Sequence, residues 1–108
     1  MNKIVKLFMT RANGLADKPF LQIARSGQVT QLTYKETARQ VRSLTAYLQK
    51  SGLKEGECVY LISEASLQRQ VSLLAAFAAG AVVVLLEPEV AYDRLKELRQ
   101  RWESKVDI

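Results

Sequence analysis

The sequence contains no histidine and a single cysteine, Cys58. Without histidine there is no imidazole for acid–base work near neutral pH, no Ser/His/Asp triad and no Cys/His zinc cluster. A lone cysteine cannot close a disulfide within the chain, which fits a reducing, cytoplasmic setting. No acidic cluster stands at metal-ligand spacing, and no acidic pair ends a first strand as a phospho-receiver requires. The apolar run LLAAFAAGAVVVLL at 73–86 is shorter than the about 20 residues that span a bilayer. Its glycine is followed by a block of valines, so no transmembrane segment is expected.

What is present is 108 residues, 48% hydrophobic and 25% charged, the composition of one globular domain over 1–108. Residues 1–18 form an amino-terminal helix and loop within it. The net charge of +5 raises nucleic acid as a partner, because clustered cations release counterions from phosphates. The cations are dispersed instead. Lys35, Arg39 and Arg42 follow one helical pattern and Arg94, Lys96, Arg99 and Arg101 another, with Glu36, Asp93, Glu97 and Glu103 among them. No aromatics alternate with them to stack bases, so no nucleic-acid partner is expected.

The first fourteen residues, MNKIVKLFMTRANG, hold cations and apolar residues but no acid. Lys6 interrupts the apolar stretch of about 7 to 15 residues that a secretory signal needs. Ile4, Leu7, Phe8, Ala12 and Leu15 fall at helical spacing, which predicts a short amphipathic helix ending near Gly14. It reads as a helix docked on the domain, with a transit peptide or membrane-surface helix as the alternative.

Alternating apolar and polar residues in FLQIAR (20–25) and VTQLT (29–33), joined by Ser26, Gly27 and Gln28, predict a hairpin with one solvated face. Thr33 and Glu36 then form a capping box, which starts a helix. That helix keeps Tyr34, Ala38, Val41, Leu44, Thr45 and Leu48 on one side and stops where Gly52 can turn left-handed. The loop at 53–57 leads to CVYLIS at 58–63, a strand apolar on both faces. Ser63 and Ser66 are both candidate caps for a helix over 66–79, with Leu67, Val71, Leu74, Ala75 and Ala78 on one stripe. Gly80 ends it, and the β-branched run at 81–86 favours a strand. Strand, helix and strand make a βαβ unit with a right-handed crossover, both strands parallel and buried on both faces, the second of them central. A further helix over 92–103, carrying Leu95, Leu98 and Trp102, precedes KVDI, which opens another strand. The fold class is α/β: a partial open sheet with a parallel βαβ core, helices on its faces and an amino-terminal β-hairpin.

Ligands of open α/β sheets bind beyond the carboxyl ends of the strands, which here carry Glu64, Glu87 and Glu89. A phosphate loop needs glycines that let the backbone approach the anion, but Ser63, Glu64, Ala65 and Ser66 offer none. The three acids therefore read as solvated loop residues. Cys58 opens a buried strand with no cation beside it in sequence, and reads as packed rather than nucleophilic. No catalytic, cofactor-binding or metal-ligating residue is assigned.

The succession KPFLQI, LTYKETARQVRSLTAYLQKSGLKEGECVYLIS, VSLLAAFAAGAVVVLLEP and RLKEL resembles the amino-terminal segment of the AMP-forming ligases: acyl-CoA synthetases, peptide-synthetase adenylation domains and luciferases. The family's helix-opening Thr-Tyr and Glu match Thr33, Tyr34 and Glu36. Its Gly-x-x-x-Gly-Asp-x-Val turn matches Gly52, Gly56 and Val59, with Glu57 for the Asp. Its Ala-Gly-Ala-Val matches Ala79 to Val82, and its closing proline matches Pro88. Ala65, Leu85 and Glu87 stand where the family usually has asparagine, proline and Asp or Asn. The resemblance runs from about Pro19 to Ile108 and implies a parent reaction that uses ATP, magnesium and coenzyme A to turn a carboxylate into an acyl-adenylate and then a thioester. The family's phosphate loop and its catalytic and ribose-binding residues correspond to nothing in these 108 residues. The expectation is a truncated or split amino-terminal portion, inactive alone, whose partner is the remainder of the ligase domain. The alternative is a free-standing, non-catalytic interaction module that binds another chain through its open sheet edge.

Overall fold

A computed structural model of the chain describes residues 3–64, 66–89, 97 and 104–107. Helix α1 (Lys3–Gly14) turns Val5, Phe8 and Ala12 inward. The Phe8 ring centroid lies 4.6 Å from that of Phe20 and 5.9 Å from that of Tyr34, and those two are 4.8 Å apart, within the range where aromatic pairs attract. This trio sets the rotation of the helix. Ile4 and Leu7, expected on the apolar stripe with Phe8, point outward at 60% and 57% exposure, and Val5 takes the inner place. The stripe read from spacing is broader than one neighbouring helix covers, and the contacts of Phe8 decide which part of it is buried.

Strands β1 (Pro19–Arg25) and β2 (Gln28–Thr33) form the expected antiparallel hairpin. Gln28 pairs with Arg25, so the link shortens to Ser26 and Gly27, with φ of +49° and +77°. Two residues at positive φ match the right-handed twist of the flanking strands. Helix α2 (Tyr34–Lys50) begins at the capping box: the Thr33 hydroxyl accepts from the Glu36 amide at 3.1 Å, and the Glu36 carboxylate accepts from the Thr33 amide at 3.1 Å. It buries Ala38, Val41 and Leu48, and also Thr37, whose hydroxyl donates to the Thr33 carbonyl at 2.8 Å. Gly52 at φ +98° ends it as expected.

Strand β3 (Cys58–Ile62), helix α3 (Leu67–Ala78) and strand β4 (Val82–Leu86) form the βαβ unit, with β3 and β4 parallel. Ser66, not Ser63, caps α3, accepting from the Arg69 amide at 3.0 Å. The last described strand, β5 (Ser104–Asp107), also pairs parallel with β3, giving the order β4-β3-β5. This corrects the placement of β4. The central strand is β3, with four of its five residues buried, whereas β4 is an edge among the described residues, with Val82 at 52% and Leu85 at 41% exposure. A run of valines and leucines reports apolar content, and that content does not say on which side a strand has a neighbour. Of the helix expected over 92–103 only Glu97 is described, helical and exposed; the remainder of that expectation lies outside the described residues.

α2 and α3 pack against each other, joining Val41, Leu48, Leu53, Val59, Val71, Ala75 and Ala79 in one core with Leu32 of the hairpin. The Thr45 hydroxyl donates to the Val41 carbonyl at 2.6 Å and lies 3.4 Å from that of Ala75, across the helix contact. At the amino ends of the strands, the Gly56 amide donates to the Gly80 carbonyl at 2.8 Å and the Val82 amide to the Glu57 carbonyl at 2.9 Å. These bonds start β3 and β4 level with each other. No helix among the described residues is long and apolar enough to cross a membrane.

Candidate functional site

Because β3 and β4 run in register from Cys58↔Val82 to Ile62↔Leu86, their carboxyl ends arrive side by side. The Ser63 amide donates to the Leu86 carbonyl at 3.1 Å, which extends the pairing one step past the strands. Beyond it stand Ser63 and Glu64 on one segment and Glu87, Pro88 and Glu89 on the other; Glu64, Glu87 and Glu89 are all exposed. The topology thus brings the three acids to one end of the sheet, solvated as expected.

The local hydrogen bonds there are turned inward. The Ser63 hydroxyl donates to the Glu64 carbonyl at 2.9 Å, and the Ser66 hydroxyl takes up the Arg69 amide at the start of α3. A helix amino terminus attracts anions through its open amides, but here one of these is occupied by Ser66 and a carboxylate precedes it at Glu64. A polyphosphate finds no glycine-lined cradle at this position.

Two openings lie at opposite ends of the parallel strands. A cleft of about 330 Å³ lies between the hairpin and the start of α3, lined by Ile23, Arg25, Thr30, Ser66, Leu67 and Gln68. Sequence reasoning did not single out Arg25 or Thr30. The signal was available in the hairpin alternation, since Ile23 and Arg25 share a face of β1 and Ile23 pairs with Thr30. A larger cleft, about 470 Å³, opens at the opposite end of the strands among Gln49, Leu53, Glu55 and residues 77–81. It offers alanines, a phenyl ring and two polar side chains, but no nucleophile. Cys58 sits at that same end of β3, buried. Among the described residues no group of three His, Cys, Asp or Glu is placed to hold a metal ion.

The family model for the AMP-binding enzyme family matches residues 8–108. The chain belongs to the AMP-binding enzymes. Nonribosomal peptide synthetase GRA1 of Gibberella zeae is 38% identical over 92 residues, which are 85% of this chain and 1% of that protein. Among solved structures, a fatty acid AMP ligase from Legionella pneumophila superposes with a TM-score of 0.90 at 20% identity, over 96% of this chain and 19% of the ligase. The amino-terminal subdomain of Klebsiella oxytoca NpsA superposes with a TM-score of 0.78 at 24% identity, over 93% of this chain and 25% of that one. These likenesses establish the fold of the AMP-binding family's amino-terminal segment, ligases and synthetases among its members. The chain spans a quarter or less of these relatives.

Proposed function

We propose that this chain is the opening scaffold segment of an adenylate-forming ligase domain, and that the 108 residues alone do not turn over substrate. The whole domain would activate a carboxylate with ATP to an acyl-adenylate and pass the acyl group on, in the acyl-CoA ligases to the coenzyme A thiol. The observation that carries this reading is the family match across residues 8–108, set against strand ends at which the described residues include no phosphate-binding loop. Adenylation requires the carboxylate and α-phosphate to be aligned and the developing phosphate charge to be stabilised. Glu64, Glu87 and Glu89 repel a polyphosphate, and no glycine stands between β3 and α3. The residues at the strand ends therefore offer no cradle for a polyphosphate, and no step of the reaction is assigned to them.

The role that remains is architectural. β3 and β4 are set level by the bonds at Gly56 and Val82, and their carboxyl ends are left open. The outer edge of β4, with Val82 and Leu85 exposed, is the surface on which the remainder of the ligase domain packs. An aliphatic edge with no charge within it favours pairing with a further strand. The test is ATP–pyrophosphate exchange by the purified chain with mixed fatty and aromatic acids. No exchange is expected, and turnover with any of them overturns the proposal.

The same edge favours a second reading, a non-catalytic module that pairs with another protein through β4. An adjoining reading frame that encodes a following strand and a Ser/Thr/Gly-rich loop supports the ligase; its absence supports the module.

A further inference from the structure

α1 presents two faces of different character. Val5, Phe8 and Ala12 anchor one of them against the domain. On the other, Ile4, Leu7 and Arg11 follow one another at the i, i+3, i+7 spacing of a single helical stripe, with Lys3 and Lys6 beside it, and all five are exposed. Every charge on the helix is positive. Residues 3–7 also precede the stretch matched by the family, which begins at Phe8.

We propose that the outer face of α1 docks on an anionic lipid surface. Two aliphatic side chains cover far less than the roughly 800 Å² that each partner contributes to a stable protein interface. They suffice for an interfacial helix, which inserts a shallow apolar edge among the headgroups and gains the rest of its affinity from cations against anionic lipid. A second copy of the chain is a poor occupant, since apposed α1 helices bring Lys3, Lys6 and Arg11 against their own counterparts. The aromatic trio at Phe8, Phe20 and Tyr34 holds the helix in place, so the face is formed before it meets a bilayer.

The experiment is co-sedimentation of the 108-residue chain with vesicles of phosphatidylcholine containing phosphatidylserine, and with vesicles of phosphatidylcholine alone. Partition is expected on the anionic vesicles at low salt, falling as salt is raised, and not on the neutral ones. Lys3→Glu with Lys6→Glu is expected to weaken it by about fivefold or more per position, and Ile4→Ser with Leu7→Ser by about tenfold. Lys35→Glu with Arg39→Glu removes the same net charge from α2 and is expected to change partition by less than about threefold. All these side chains are exposed, so unchanged circular dichroism and urea midpoints show that each variant folds. Absence of partition on anionic vesicles overturns the proposal, as does equal loss from the α1 and α2 charge variants. A dimer that dissociates on Leu7→Ser, without lipid binding, overturns it in favour of self-association.

Discussion

Gly80→Ala tests how the two parallel strands are set level. Gly80 sits at φ +78° between α3 and β4, and its carbonyl accepts the Gly56 amide. A Cβ added there would lie 2.8 Å from Glu55 Cγ, 3.3 Å from Glu55 Cβ and 3.4 Å from Glu55 Cα. Two costs add. A left-handed conformation costs an alanine about 1–2 kcal/mol, less about 0.4–1 kcal/mol returned by a stiffer unfolded chain. Moving the Glu55 side chain off its rotamer adds about 0.5–1.5 kcal/mol. The sum is a destabilisation of roughly 0.5–3 kcal/mol. Gly56 provides the control, because it has φ +86° and nothing within 4 Å of an added Cβ. Gly56→Ala should therefore show the conformational cost alone. Urea unfolding followed by circular dichroism reads both, compared at equal m. The contact cost is isolated by repeating Gly80→Ala in an exposed-site Glu55→Ala background, where Cγ is gone and most of the excess over Gly56→Ala should disappear. Equal costs at the two glycines, or an excess that survives Glu55→Ala, would refute the reasoning.

Other perturbations probe the cap, the core and the docking of α1. Thr33→Ala removes the acceptor for the Glu36 amide and should cost about 1 kcal/mol in urea unfolding. Bonds from the Thr33 backbone and side chain hold the Glu36 carboxyl below its ordinary 4.5, with Arg39 assisting. The stabilisation is thus present above that value and lost as pH falls through the lower, folded value; Glu36→Gln should flatten the acid limb of a stability–pH profile. Leu48→Ala, at a fully buried position in the main core, should cost about 2–5 kcal/mol and lower the urea midpoint accordingly. Phe8→Ala breaks two of the three ring contacts and should cost about 3–5 kcal/mol, with earlier tryptic cleavage at Arg11 as a readout specific to α1.

Local signals in the sequence were reliable where one residue or one short pattern decides the outcome. Thr33 and Glu36 make both halves of the capping box, and Gly52 and Gly80 take positive φ, each because the chemistry is contained within four residues, whereas the sequence left Ser63 and Ser66 as rival caps and the structure uses Ser66. Questions of neighbourhood were less legible. Val82, Val83 and Val84 read as a doubly buried strand, yet the order β4-β3-β5 depends on where β5 inserts, which nothing within residues 82–86 encodes. Likewise the rotation of α1 depends on Phe20 and Tyr34, distant in sequence, and spacing within residues 3–14 put Ile4 on the inner stripe where the structure buries Val5. Arg25 and Thr30 entered the cleft beside α3 through hairpin register and helix packing together.

The asymmetry between the two ends of the sheet explains why the fold could be read more fully than the chemistry. At the amino ends of β3 and β4 the chain completes its own bonds: Gly56 to Gly80, Val82 to Glu57, and Gly80 held where a side chain would strike Glu55. Such contacts are complete within the described chain, and Gly56 and Gly80 carry their turn signals in the sequence, although the approach of Gly80 to Glu55 was not legible there. At the carboxyl ends the strands stop with Glu64, Glu87 and Glu89 exposed, and among the described residues the pairing beyond them reaches Ser63. A site built across strand ends draws side chains from several segments, so a single segment need not carry a motif for the ligand. Val82 and Leu85 stay exposed on β4, an edge strand among the described residues. If the rest of a ligase domain packs on that edge, Val82→Lys with Leu85→Lys should leave the folding of this chain nearly unchanged while lowering its association with a co-expressed remainder in pull-down. Unimpaired association would place the contact elsewhere.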